Sequence, residues 1–224
     1  MEDRTLIVYQ RQRFEVGIAS TDDELKEAKL LDDLAFGPYH GVTLGELEKI
    51  RAVGKLILLR EEGSGELIGE SQIIFEPIEE LPYEFSHPVG FCYGTAVSPN
   101  FQGRGLGRLL ALQQEAVSII CGKKELQMTI RVENYPSLRM RTKLGYKIYG
   151  YQEDFYGSDV SADSRLFLKK RLDDDVKTAS CSVVKSIRVA FGSEHDSEAH
   201  RCIKRMLELG YRGIAVDREN IYFV

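Results

Sequence analysis

The stretch that most constrains this chain is residues 97–107, VSPNFQGRGLG. An apolar run, Phe91 to Val97, leads into it, and an apolar-periodic run, Leu106 to Ile120, follows. That order predicts a strand, a glycine turn and a helix. Glycines at a helix start let bare backbone approach a ligand closely and adopt conformations that other residues resist. The first N–H groups of a helix have no partner inside it, and the helix dipole adds positive character there. The stretch therefore predicts an anion site, for a phosphate or a pyrophosphate. Two familiar phosphate loops are excluded. No Lys-Ser/Thr follows, as G-x-x-x-x-G-K-[ST] requires, and G-x-G-x-x-G counted from Gly105 puts Leu110 where its third glycine belongs.

The turn reads Q-x-x-G-x-G at Gln102, Gly105 and Gly107, after a strand ending Val97-Ser98-Pro99. One strand downstream lies Asn134-Tyr135-Pro136-Ser137, closing on Lys143-Leu144-Gly145-Tyr146. In this order and spacing the two motifs resemble those of the GNAT N-acetyltransferase superfamily, Q/R-x-x-G-x-G/A and then N-x-x-A/S … K-x-G-F/Y. A plain helix-capping glycine turn would explain the first motif but not the second. The resemblance implies an α/β (α+β) fold, a mixed and mostly antiparallel sheet flanked by helices, with central parallel strands that splay. It also implies acetyl-CoA as cosubstrate and an acyltransferase that moves an acetyl group to an amine by direct attack in a ternary complex.

By element order the resemblance covers residues 13–171. Residues 13–19 alternate as a strand. Ser20 or Thr21 can cap a helix with Asp22, Asp23 and Glu24 in its first turn and Leu25, Ala28, Leu31 and Leu34 on one face. Gly37-Pro38 stops it. Residues 43–53 read as a second helix, 55–60 (KLILLR) and 66–76 (ELIGESQIIFE) as a hairpin, and 77–88 as a loop. Residues 126–132 read as a strand. Pro136 starts a helix ended by Gly145, and 146–155 with 165–170 read as closing strands.

The tail, 172–224, lies outside the resemblance and reads as a small α/β extension: a strand at 183–191, a helix capped by Ser193, and a hairpin at 214–224. The helix carries Ala199, Cys202, Ile203, Met206 and Leu207 on one face and ends at Gly210. About 50 residues bury little core alone, so the extension is expected to pack on the main domain or on a second copy, as a homodimer.

A net charge of -5 over 224 residues argues against a broad nucleic-acid surface. No apolar run nears the ~20 residues of a membrane span, and residues 1–13 have no signal-peptide core, so a cytoplasmic location is expected. Cys92, Cys121, Cys181 and Cys202 have no metal-ligand spacing and are expected to be reduced and buried. His195 and His200 beside Cys202 do not supply such a spacing either, and no metal is expected.

The resemblance assigns the donor site first. Gln102, Gly103, Arg104, Gly105, Leu106, Gly107 and Arg108 would cradle the CoA pyrophosphate, the two arginines adding charge or simply lying in solvent. The backbone of Thr95, Ala96 and Val97 would pair with the pantetheine arm, and an N–H near Val97 would hold the thioester oxygen. Asn134 would reach the pantetheine or the leaving sulfur, or else only cap its helix, and Lys143 closes the motif.

A base must take a proton from the ammonium before attack. The acceptor-facing positions on the central strand are Tyr93 and Phe91. Phe91 cannot serve, and a phenol with an ordinary pKa near 10 is a poor unaided base. Glu70, Gln72 and Glu76 alternate onto one face of the neighbouring strand; either one acts through water or the face is solvated. Where the family commonly has an acid Tyr, two residues before the motif lysine, this chain has Arg141, which does not give up its proton but could stabilise a thiolate by charge. Otherwise Tyr135, Tyr146, Tyr149 or solvent must serve. His40 and His87 read as surface histidines.

The acceptor pocket is expected at residues 35–43 and 77–88, with Phe36, Tyr39, His40, Glu79, Glu80, Tyr83 and Glu84. Its acidity suits a cationic small-molecule amine. The alternatives are a protein N-acetyltransferase and a non-catalytic CoA-binding sensor or interaction module.

Overall fold

The structure, a computed structural model, describes residues 4–38, 41–79, 85–155, 164–173, 185–189, 191 and 197–224. Its contacts divide the chain into two units, residues 1–124 and 125–224. No helix among the described residues is long and apolar enough to cross a membrane.

The first unit runs β1 (Thr5–Tyr9), β2 (Gln12–Ile18), α1 (Asp22–Phe36), α2 (Leu44–Val53), β3 (Gly54–Glu61), β4 (Leu67–Ile74), β5 (Val89–Val97), a short 3-10 turn (Pro99–Phe101) and α3 (Leu106–Ile120). Its strands form an antiparallel array in chain order, β1 to β5. The run LILL in β3 explains the layering. Ile57 and Leu59 face one cluster, with Leu106, Leu109 and Leu110 of α3. Leu56 and Leu58 face the other, with Leu25 and Ala28 of α1 and Leu47 of α2. A strand covered on both faces has no polar alternation.

The first two helices start at reciprocal caps. The Thr21 hydroxyl accepts from Glu24 N–H while the Glu24 carboxylate accepts from the Thr21 N–H, and Thr43 and Glu46 do the same for α2. Leu34, expected on the packed face of α1, is 68 % exposed; the covered stripe is narrower and runs through Leu25, Ala28 and Leu31. Strand β1 precedes β2 and lies ahead of the first strand expected from the sequence, at residues 13–19. The turn between them carries Gln10 and Arg11 at φ 49° and 67°. That pair of left-handed residues gives the twist a two-residue hairpin needs, without the glycine or asparagine that usually advertises it.

The second unit runs β6 (Glu125–Arg131), α4 (Tyr135–Lys143), β7 (Lys147–Gln152), β8 (Arg165–Arg171), β9 (Lys185–Arg188), α5 (Ser197–Glu208), β10 (Gly213–Val216) and β11 (Asn220–Phe223). Its strands lie in the order β6-β8-β7-β10-β11-β9, every pair antiparallel. The tail thus continues this unit's own sheet. Gly213 of β10 pairs with Ile148 of β7, and a Cβ there would lie 2.9 Å from the Ile148 side chain. Helix α5 packs on β7 and β9 and buries Ala199, Ile203, Met206 and Leu207. Cys202, expected on that buried face, is exposed, as is Cys121; Cys92 is buried. Cys181 and Ser193 lie outside the described residues.

Candidate active site

The turn after β5 is built from backbone. Gln102 Nε2 donates to the Val97 carbonyl at 3.1 Å, tying the turn to the strand end. Gly103 and Gly105 both have φ +76°, and Gly105 is the N-cap of α3. The Arg108 and Leu109 N–H groups return to the Gly105 carbonyl at 3.0 and 3.1 Å. No side chain among the described residues caps α3, whereas Thr21, Thr43 and Asn134 cap α1, α2 and α4. A Cβ at Gly103 or Gly107 would meet nothing within 4 Å among the described residues; one at Gly105 would come within 3.1 Å of Gln10 and Tyr9. The cradle is therefore open over two glycines and bordered by the β1–β2 turn, a neighbour the sequence did not reveal. Leu106 turns its side chain into the core and offers only backbone. Arg104 lies over the Phe101 ring at 4.8 Å and donates to the Asn100 carbonyl, so it braces the turn. Arg108 is exposed. An uncapped helix start behind a left-handed glycine, with open space in front, fits a pyrophosphate.

Beside this turn, β5 is irregular. Gln72 pairs with Gly94 and Ile73 with Cys92, so Tyr93 is the extra residue of a bulge, which re-aims its side chain. The Thr95 hydroxyl donates to the Gly94 carbonyl at 2.7 Å, and Ala96 is buried. On β4, Glu70 pairs with Leu58 and Gln72 with Leu56, placing both on the face covered by α1 and α2. The solvated reading of that face is corrected: Glu70 and Gln72 are 0 % exposed. Glu76 lies beyond the end of β4 and is exposed, so it does not belong to this row.

Glu70 is held by Gln72 Nε2, 3.1 Å from both carboxylate oxygens, and by the Ala96 N–H. Burial, and then the charge of Asp32, push its pKa well above the ordinary value. Asp32, 3 % exposed, accepts the Val42 N–H at 2.7 Å. Burial pushes it up to about 6, the Asp33 and Glu46 charges adding to the effect. Gln72 Oε1 is buried without a hydrogen-bond partner among the described residues, and a Cβ at Gly94 would sit 2.7 Å from it. The Tyr93 hydroxyl donates to Glu46 Oε1 at 3.3 Å, and both side chains are half-buried. Tyr93 and Glu46 thus form the reachable front of an acid set whose rear members, Asp32 and Glu70, hold a proton more readily than ordinary carboxyls. Glu46 escaped the sequence reading because its capping role is the plainer signal. Of the residues expected around the acceptor, Phe36, Glu79 and His87 are exposed, and Tyr39, His40, Glu80, Tyr83 and Glu84 lie outside the described residues.

The second motif opens α4 of the second unit. Asn134 Oδ1 accepts the Ser137 N–H at 3.2 Å, so the residue does cap its helix, and its side chain remains exposed. Tyr135 is half-buried, its ring 5.2 Å from that of Phe191. Arg141 is 4 % exposed, its guanidinium 5.4 Å above the ring of the fully buried Tyr146. The charge expected to face a thiolate is engaged within the unit's interior. Lys143 is exposed at the other end of α4 from Asn134. Burial, with the charge of Glu125, pushes Tyr149 up to about 12.

A family model described as the acetyltransferase (GNAT) family matches residues 27–146, more than half of the chain. No curated protein matches it in sequence. Several solved structures share the fold. The ribosomal-protein-S18-alanine N-acetyltransferase of Escherichia coli is 13% identical with a TM-score of 0.59, over 73% of this chain and 97% of that one. An IAA acetyltransferase from Bacillus cereus is 14% identical with a TM-score of 0.55, over 70% and 99%. A Bacillus subtilis acetyltransferase in complex with CoA is 16% identical with a TM-score of 0.54, over 70% and 97%. At these identities the likeness is one of fold. The match over residues 27–146, more than half of the chain, means that the chain belongs to the acetyltransferase (GNAT) family.

Proposed function

We propose that the protein transfers an acetyl group from acetyl-CoA to the amine of a small cationic molecule. The observation that carries this reading is the chain of acids under α1 and α2: Glu46 accepts from Tyr93, Asp32 feels the charge of Glu46, and Glu70 feels that of Asp32. Acetyl-CoA, when bound, supplies the activated acyl group. The backbone of residues 103–108 binds its pyrophosphate, and Thr95, Ala96 and Val97 lie next to the acids, since Glu70 pairs with Ala96. Glu46 and Tyr93 receive the cationic amine, drawn by the local negative charge. The proton it must lose passes to the Asp32–Glu70 pair, directly or through water. A carboxyl whose pKa lies near the working pH is a competent proton acceptor and donor. With Arg141 engaged on Tyr146, the departing sulfur takes its proton from Tyr135 or from solvent.

Thiol release from acetyl-CoA, measured across cationic amines, neutral amines and free peptide N-termini, tests this, with acetyl-CoA binding followed by calorimetry. The reading predicts binding, and turnover that is fastest with cationic small amines. Turnover with peptide N-termini alone would make the protein a protein N-acetyltransferase. Binding without turnover on any acceptor would favour a CoA sensor. The absence of binding would refute the donor site.

A further inference from the structure

The tail, 172–224, lies outside the residues that carry the family motifs, yet two of its residues reach the second motif. Buried His200 of α5, 1 % exposed, places Nε2 3.4 Å from Glu133 Oε1, and its Nδ1 shares a 3.1 Å hydrogen bond with the Tyr151 hydroxyl of β7. The ring thus faces the Glu133 carboxylate through Nε2 and Tyr151 through Nδ1, the direction of the Nδ1 bond being set by the tautomer. The Tyr151 hydroxyl also lies 3.2 Å from Ser164 Oγ and the two rings meet edge to face, so the imidazole is fixed in position and orientation. Burial works to raise the Glu133 carboxyl, yet the His200 ring and the residue's own N–H bring its pKa below the ordinary value. On the other side of Asn134, the Tyr135 ring stacks obliquely on Phe191, also from the tail. Asn134 therefore stands exposed between two neighbours that the tail holds.

We infer that the C-terminal extension is a clamp on the second motif, in which His200 and Phe191 hold Glu133 and Tyr135 and so set the position of Asn134. His200 is a positioning residue, acting through Asn134. That second step rests on the reading of Asn134 as a contact of the acyl donor. An unclamped loop would still cap α4 through Asn134, but would present the asparagine over a wider range of positions. Pre-ordering of this kind is how a contact made by a short exposed side chain gains affinity.

Two measurements on the full chain test the clamp. Amide exchange should quicken at residues 133–135 in His200→Ala relative to the wild type and stay near the wild type in His200→Gln, which keeps a hydrogen-bonding side chain there. Calorimetry should show His200→Ala and Asn134→Ala each weakening acetyl-CoA binding about fivefold, and the double variant should bind no worse than Asn134→Ala alone, because coupled residues are non-additive. Unchanged exchange at 133–135 would overturn the clamp. Effects that multiply in the double variant, or a silent Asn134→Ala, would overturn the route through Asn134. Should His200→Ala not fold, Phe191→Leu takes its place in both measurements with the same outcomes. Failure of the wild type to bind acetyl-CoA would refute the proposed function, while the exchange measurement would still decide the clamp.

Discussion

The two sites proposed in the first unit are of opposite construction. The donor cradle is local and made of backbone: a few consecutive residues, a left-handed glycine and an uncapped helix start. The acid set is non-local and made of side chains from α1, α2, β4 and β5. In the cradle most side chains turn away or brace the turn, and what matters is where side chains are missing. In the acid set, burial changes the chemistry of ordinary residues, raising Glu70 well above its usual range and Asp32 to about 6. A backbone site can be damaged by geometry alone; a buried carboxyl site can be silenced with its shape intact.

That contrast yields predictions in order of size. Glu70→Gln keeps the shape and should slow acetyl transfer about 100-fold, within the range of a lost general base, with acetyl-CoA affinity unchanged by calorimetry. Gly105→Val places a β-branched residue at φ +76° against Tyr9 and Gln10 and should weaken acetyl-CoA binding at least ~10-fold, the left-handed conformation alone costing roughly 1–2 kcal/mol. Tyr93→Phe removes the hydroxyl on Glu46 and should lower kcat/KM about fivefold, a hydrogen bond to a charged group being worth about 1.5–3 kcal/mol at most. Arg108→Ala should raise the acetyl-CoA Kd only about threefold, and less at high salt, because the arginine is exposed. An Arg108 effect larger than that of Gly105→Val would break the backbone account of the cradle.

The acid set also has a signature in stability. The Asp32 carboxyl is raised in the folded state from 3.8 to about 6. Its contribution is therefore fully present below its unfolded pKa and is lost as pH rises through about 6. The Tm difference between wild type and Asp32→Asn should shift against the wild type between pH 4 and pH 7, which a pH series of thermal melts would read. An unchanged difference across that window would mean that Asp32 is not shielded from solvent in the way its burial implies.

What the sequence disclosed follows the same division. The glycine turn, the capped start of α1 at Ser20 or Thr21, and the strand at residues 55–60 were legible because each depends on residues close together in the chain. Glu70 and Gln72 suggested a solvent face because polar residues alternated with apolar ones; only the placement of α1 and α2 over that face reverses the conclusion. Tyr93 was identified, but its partner Glu46 was masked by its capping role, and the bulge that aims Tyr93 has no sequence mark. Strand β1 was hidden because Gln10 and Arg11 adopt left-handed backbone without a turn residue. Arg141 was found as the departure from the family pattern, while its stacking on Tyr146 depends on a residue five positions on, past the end of its helix.

The central claim is that donor binding and proton transfer reside in separable structures. Its most direct test is calorimetry of acetyl-CoA with wild type, Gly105→Val and Glu70→Gln under one set of conditions. The account predicts that Glu70→Gln binds like the wild type while Gly105→Val binds at least ~10-fold more weakly. Equal weakening in both variants, or none in Gly105→Val, would contradict it.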